Sequence, residues 1–466
     1  MRPSCPRHWF CRVGGALALL MTMGAAHAEG TSGALLPPAA SVEPPAAASP
    51  ASSAPTEKPA RKSSPTKVAP RKVLHNVAPA PRRTAPATVS VFPPPPGESR
   101  FRRGEILAAF ALNASRPNID LLLRRHRLTE VEAVPVGLLG ITWRLLRISD
   151  ARDTGSVVRE LGSEPLIVSA QPNYVYALQE DATGAALESA PQYALAKLHI
   201  DAPRTPAAAG DKILVAVIDT AIDEAHPDLA GVVEARFDAI AGEVSTRIHG
   251  TAIAGAIAAH GKILGVAPHT GILAVRAFET ADSGPQGTTL AILKGIDWAA
   301  QAHARIINMS FAGPQDPAMH GILAAAFDKG IMLIAAAGNA GPKSAPLFPA
   351  ADEKVLAVTA TDADDKLFDN ANVGRYVAVA APGVDVLLPA PGGAYGLETG
   401  TSVSAALVSG VAALVLERRP TMQPSAMRKL LMTTATPLGA GGHEIEFGAG
   451  LVNAQRALAA DGAAAR

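Results

Sequence analysis

The chain is nearly devoid of cysteine: Cys5 and Cys11 are the only two in 466 residues, and both lie near its start. Everything after them has no thiol, which excludes disulfides and any Cys-based metal centre. Aromatic residues make up only 4% and the formal net charge is +1. A stacking platform for single-stranded nucleic acid is therefore not expected, and a polyanion need not be the main partner. The apolar run at residues 14–26 falls well short of the length needed to span a bilayer, and no transmembrane helix is expected in the mature chain. Apolar residues are not scarce. At 48% they suffice for a sizeable core.

The beginning of the chain carries a targeting pattern. Arg2, Arg7 and Arg12 form a basic stretch, residues 14–26 are apolar, and Ala26-His27-Ala28 matches a small-residue cleavage site. Residues 1–28 are thus expected to be a signal peptide cut after Ala28, with an uncleaved anchor as the alternative. Export to the periplasm or the medium follows. Residues 29–97 are dominated by Pro, Ala and Ser with interspersed Lys and Arg, and end in Pro93-Pro94-Pro95-Pro96. Such a composition predicts a disordered, partly polyproline tether. Its charge would suit a basic strap, but a solvated linker explains it as well.

Residues 98–179 read differently. Strand patterns at 104–110, 130–135, 141–148 and 166–178 alternate with helical spacing at 118–127 and 157–161, the last strand being interrupted by Pro172-Asn173. The β-α-β-β-α-β order predicts a small ferredoxin-like α+β unit. Residues 180–200 are polar and loose and read as a linker. From 201 to 466, apolar strands at 213–218, 272–275, 306–309, 331–336 and 355–359 alternate with helices at 249–260, 290–303 and 319–329, followed by helices at 401–418 and 424–434. That pattern predicts an α/β domain with a doubly wound, mostly parallel sheet and helices on both faces.

Four short segments could carry chemistry. Asp219 ends a buried strand, where doubly wound sheets place ligands; a turn-capping Asp would look the same. His249 opens a helix whose start favours neutral imidazole, yet helix-start histidines are common. Ser402 follows a glycine at the head of a long apolar helix, and its hydroxyl could be a nucleophile once a base takes its proton; a helix cap is the alternative. Asn339, in Ala337-Gly338-Asn339-Ala340-Gly341, could donate to an oxyanion or simply occupy a turn.

Taken in order, these segments resemble the subtilisin-like serine proteases, the subtilase family. The matching stretches are Val217-Ile218-Asp219-Thr220, His226-Pro227-Asp228-Leu229, His249-Gly250-Thr251, Asn308-Met309-Ser310-Phe311-Ala312-Gly313-Pro314, Ala336-Ala337-Gly338-Asn339 and Gly400-Thr401-Ser402-Val403-Ser404-Ala405. The resemblance implies a serine endopeptidase in which Ser402 attacks, His249 moves the proton and Asp219 orients His249. It implies Asn339 as oxyanion donor. It also implies Ser310, Phe311, Ala312 and Gly313 as the segment that pairs with an extended protein or peptide substrate.

The unit at 98–179 resembles an inhibitory prodomain, which would make the chain a self-processed zymogen cut between Leu178 and about Gln192 and held as a monomer. The alternative is a catalytically silent relative that binds envelope material. Departures from the family pattern are Ala221 and Ala312 for Gly, Ala406 for Pro and Ala252 for a second His. Pro349 is a candidate cis proline by the same resemblance. No cofactor is expected. Many relatives build a tight calcium site after the histidine helix, but Ala259-His260-Gly261-Lys262-Ile263-Leu264-Gly265 offers no carboxylate, leaving Asp228 nearly alone where a hard cation wants six or more oxygens. That site is expected to be absent, with weaker sites elsewhere left open. His226 and Ser404 read as structural, and Asp223 either tunes the Asp219 turn or is a solvated loop carboxylate.

Overall fold

The computed structural model describes residues 90–179, 181–186, 192–200, 212–245, 247–281, 284–439 and 445–460. The expected signal peptide, most of the expected tether and the end of the chain lie outside these residues.

The chain first builds an α+β unit from β1 (Ser90–Val91), β2 (Phe101–Phe110), α1 (Arg116–Arg125), β3 (Leu128–Val136), β4 (Ile141–Ile148), α2 (Thr154–Leu161) and β5 (Ile167–Leu178). The strands lie in the order β1-β5-β2-β4-β3. Strand alternation decides which face goes where. On β2, Ile106, Ala108 and Phe110 pack under α1 and α2, while Leu107 and Ala109 turn to the opposite face and join the core of the larger domain. The expected tether ends earlier than composition suggested. Ser90 and Val91 pair in parallel with Ser169 and Ala170, because the β5 edge offers free backbone groups that a short apolar stretch can take.

A short strand, β6 (Asp181–Ala186), and a short helix, α3 (Tyr193–Lys197), follow. The expected loose linker is therefore partly regular. Its strand was invisible in a run of small and polar residues, and it forms because another strand presents an edge to it. Ala194 and Leu198 belong to the main core, so the larger domain begins before residue 201.

That domain runs through β7 (Leu214–Asp219), β8 (Val233–Asp238), α4 (Ile248–Ala258), β9 (Gly271–Arg276), β10 (Gln286–Thr288), α5 (Thr289–Gln301), β11 (Ile306–Met309), β12 (Phe311–Ala312) and α6 (Pro317–Asp328). It continues with β13 (Met332–Ala336), β14 (Leu356–Thr361), β15 (Val377–Pro382), β16 (Val386–Ala390), β17 (Ala394–Thr399), α7 (Thr401–Arg418), α8 (Pro424–Thr434) and α9 (Ala454–Ala459). The main sheet has the order β15-β14-β13-β11-β7-β9-β8, and every pairing in it is parallel.

Successive residues of β7 serve opposite cores: Val215 and Val217 face the core built with α4 and α7, Ala216 and Ile218 the core built with α5 and α6. Each fully buried Val or Ile contributes roughly 1.5–3 kcal/mol. Helix α7 is apolar and long enough to cross a membrane, but it is buried in this core. Strand order reverses between β7 and β11, and at that switch point the carboxyl ends of the strands open a crevice.

Candidate active site

Asp219 closes β7 at this crevice and is fully buried. Both of its carboxylate oxygens lie 2.7 Å from His249 Nδ1. The backbone N–H of Thr220 donates to Oδ1 at 2.7 Å, and the Thr220 hydroxyl donates to the same oxygen at 3.3 Å. A buried carboxylate is costly unless paired, and here the imidazole and the turn satisfy it. His249 reaches it because Gly250 lets α4 approach. A Cβ on Gly250 would stand 2.7 Å from the carbonyl oxygens of both Thr220 and Ala221. The helix is tied to the same turn by Gly250 N–H donating to Thr220 Oγ1 at 2.9 Å and by Asp223 N–H donating to Thr251 Oγ1 at 2.8 Å.

Ser402 sits in the first turn of α7, with the positive end of the helix beneath it. Its hydroxyl donates to the carbonyl oxygens of Gln179 and, at 3.1 Å, of Ser310. Asn339 follows β13. Its Oδ1 accepts from Thr401 N–H at 3.1 Å and from Thr401 Oγ1 at 2.8 Å. Its Nδ2 is buried and has no hydrogen-bond partner among the described residues. Buried donors are rarely left so, and this one stands beside the helix start that carries Ser402.

Ser310, Phe311, Ala312 and Gly313 stand along the crevice. Phe311 and Ala312 form β12, which pairs antiparallel with β5 at Leu178 and Ala177. On the other side of β5, Gln286, Gly287 and Thr288 of β10 pair with Ala177, Tyr176 and Val175. The end of β5 is thus gripped between two strands. Gln179 continues it: its N–H donates to Ser310 O at 3.2 Å, and its side-chain Oε1 accepts from Asn339 N–H at 2.7 Å. Beyond Gln179, β6 pairs antiparallel with β17, the strand that leads into Ser402. Sequence reasoning missed Thr401, which had a signal in Gly400-Thr401-Ser402, and it placed Gln179 only within the stretch expected to be cut, between Leu178 and about Gln192, without a contact of its own in this site.

The remaining polar residues near the crevice hold it together. His226 is fully buried; its Nδ1 accepts from Asp228 N–H at 3.1 Å, which leaves Nε2–H to donate to Ala394 O at 3.0 Å. Asp223 accepts from Gly392 N–H at 2.7 Å, and the Ser404 hydroxyl donates to the carbonyls of Ala381 and Pro382. The Phe348–Pro349 bond is cis. Asp228 spends its two oxygens on Lys262 N–H and Ile263 N–H, each at 2.9 Å. Gln192 brackets the same loop, accepting from Leu264 N–H at 3.0 Å and donating to Leu264 O at 2.9 Å. Asp228 and Gln192 thus both accept hydrogen bonds from the backbone of this loop.

Asp316 caps α6 and is buried at the far end of the gripped strand. Burial pushes its carboxyl above the usual range, against hydrogen bonds from Thr289, Gln171, Met319 and Tyr176 that pull it down.

A crevice with a buried Asp–His pair and a helix-start serine, set at the switch point of a parallel α/β sheet, defines the class as a subtilisin-like α/β fold. Residues 210–450 match the Peptidase_S8 subtilase family, more than half of the chain, and the chain belongs to that family. It is 34% identical over 297 residues to subtilisin NAT of Bacillus subtilis subsp. natto, covering 61% of this chain and 76% of that one. It is 31% identical over 376 residues to the thermophilic serine proteinase of Bacillus sp. (strain AK1), covering 78% and 90%. The crystal structure of fervidolysin from Fervidobacterium pennivorans, a keratinolytic enzyme related to subtilisin, shares the fold with a TM-score of 0.65 at 24% identity; the match covers 81% of this chain and 63% of that one. The protein is a serine-type endopeptidase acting on protein or peptide substrates.

Proposed function

We propose that this endopeptidase is exported as a zymogen and that its first substrate is its own Gln179–Glu180 bond. The observation that carries the reading is the Ser402 hydroxyl bonded to the carbonyl of Gln179 while β5 is gripped between β10 and β12. In this reading Ser402 Oγ attacks the Gln179 carbonyl carbon as His249 Nε2 takes the hydroxyl proton. Asp219, on Nδ1, holds the ring and stabilises its cationic form. The carbonyl electrons move to oxygen, where Asn339 Nδ2 and the Ser402 N–H donate. Collapse expels the Glu180 amine, which leaves with the proton from His249. Water then attacks the Gln179 acyl-enzyme by the reverse path, returning the proton to Ser402 through His249.

The α+β unit stays behind as an intramolecular inhibitor, since β5 fills the substrate side of the crevice on the product carboxylate. The mature enzyme is a secreted or periplasmic monomer, delivered by residues 1–28. The hydrogen bonds that Asp228 accepts from Lys262 and Ile263, and that Gln192 exchanges with Leu264, stand where relatives use tight calcium, so the enzyme needs no such ion.

Expression of residues 29–466 as wild type and as Ser402→Ala tests this. Wild type should split into two fragments, the larger starting at Glu180 on N-terminal sequencing, and should label with a serine-directed phosphonate. Ser402→Ala should remain one chain. A wild-type chain that neither splits nor labels would refute the reading.

A further inference from the structure

Three residues before Gln179, the side chain of Tyr176 fills a pocket walled by Phe311, Gly313 and Asp316 of the larger domain. Tyr176 is fully buried. Its ring meets Phe311 edge-on at 5.7 Å and 81°. Gly313 makes the room, since a Cβ there would stand 2.4 Å from the Tyr176 ring. At the floor, the phenol donates to Asp316 Oδ2 at 3.2 Å.

This carboxylate is positioned independently of the tyrosine. Oδ1 caps α6 by accepting from Ala318 N–H at 2.9 Å and Met319 N–H at 3.1 Å, and the Thr289 hydroxyl donates to Oδ2 at 2.5 Å. Only Tyr176 and Gln171, whose side chain donates to Oδ1 at 2.7 Å, come from before the proposed cut. When that segment leaves, Phe311, Gly313, Thr289 and Asp316 remain as an aromatic-walled slot with an oriented acceptor at its end. Aliphatic or phenylalanine side chains would bury this acceptor against carbon, which costs affinity; a phenol satisfies it.

We infer that Asp316 is a specificity-determining residue, and that the mature enzyme prefers substrates with tyrosine at the fourth residue before the cleaved bond, read through its hydroxyl. This rests on the proposal that β5 lies as a substrate with Gln179 at the cut. The hydroxyl is a single added group, and Thr289 and the helix N–H groups still serve the carboxylate in its absence. The discrimination is accordingly roughly tenfold rather than the much larger factor of a site left wholly unpaired.

The test uses self-processed enzyme and two internally quenched peptides, one carrying Tyr-Ala-Leu-Gln and the other Phe-Ala-Leu-Gln before the bond. Casein hydrolysis by wild type, and its loss in Ser402→Ala, reads the protease separately. The expected result is kcat/KM about tenfold higher for the tyrosine peptide. In Asp316→Ser, whose shorter side chain still caps α6 but stops short of the phenol, the ratio should fall towards one. Equal cleavage of both peptides by wild type would overturn the inference without needing any pocket variant, as would a ratio that survives Asp316→Ser. Cleavage of casein but of neither peptide would overturn it together with the proposed register of β5. Loss of casein hydrolysis in wild type would instead strike the enzyme reading itself.

Discussion

Asn339 and Thr401 are locked to each other at the head of α7: one side-chain oxygen of Asn339 takes both the backbone N–H and the hydroxyl of Thr401. With Oδ1 so committed, the amide cannot flip without losing two bonds, and Nδ2 is held as a buried donor. Replacing Asn339 by Ala should lower kcat by about 10²–10³, the size known for one oxyanion donor, whose standard example is itself a subtilisin. KM should change little. Thr401→Val keeps the N–H bond and removes the hydroxyl, so its loss in kcat should be smaller. Peptide hydrolysis at saturating substrate measures both, and an unchanged kcat in Asn339→Ala would remove Asn339 from the mechanism.

Gly250 is set by contact. Gly250→Ala would push a methyl group against the carbonyls of Thr220 and Ala221, both backbone atoms that cannot rotate away. Either α4 shifts, carrying His249 off Asp219, or the turn is strained. A loss of stability of about 1–3 kcal/mol is expected, with activity falling further than stability alone explains. Thermal melts and active-site titration on the same sample separate the two effects.

The 260–264 loop should be indifferent to chelators. Asp228→Ala leaves Ile263 N–H without its acceptor in a buried place and Lys262 N–H without its acceptor in a part-buried one. A penalty of roughly 1–3 kcal/mol for each donor left unpaired is expected, read as a lower melting temperature. EDTA on wild type should shift the melting temperature by far less. A large EDTA effect would show that a bound cation supports this fold.

Asp316 should make stability depend on pH in the unusual direction for a carboxylate. Its folded value is raised above 3.8, with burial the largest cause. Between the unfolded value and the raised folded one, the folded chain holds a proton that the unfolded chain has released. Stability therefore falls as pH rises through that window. In the uncut Ser402→Ala chain, Asp316→Asn should gain on its parent as pH climbs from about 4. Parallel melting curves across that range, with no relative gain, would refute the shift.

Much of the peptidase core could be read from local pattern. Short apolar strands at even intervals imply a covered parallel sheet, and the ends of β11, α7 and α8 fall where hydrophobic periodicity places them. Asp219, His249 and Ser402 could be singled out as candidates because each sits at an element boundary within a short motif. Strands β16 and β17 were missed, since Pro389, Pro391, Gly392 and Gly393 interrupt the apolar pattern there. Strand β6 was missed because small residues become a strand only when an edge such as β17 is offered. No local pattern singled out Asp316 before Pro317, and its second oxygen acquires meaning only from Tyr176, which lies 140 positions away.

By itself, then, the sequence determined the sheet-forming alternation, the helix starts and the reactive residue types, because these depend on neighbours a few positions apart. Tertiary structure alone decided that Gln179 lies against Ser402, that Asn339 Nδ2 is the donor left over, and that Asp228 answers to backbone amides. Those outcomes depend on which groups meet across long stretches of chain. Burial then leaves each polar atom only the partners that the packed fold brings within hydrogen-bond reach.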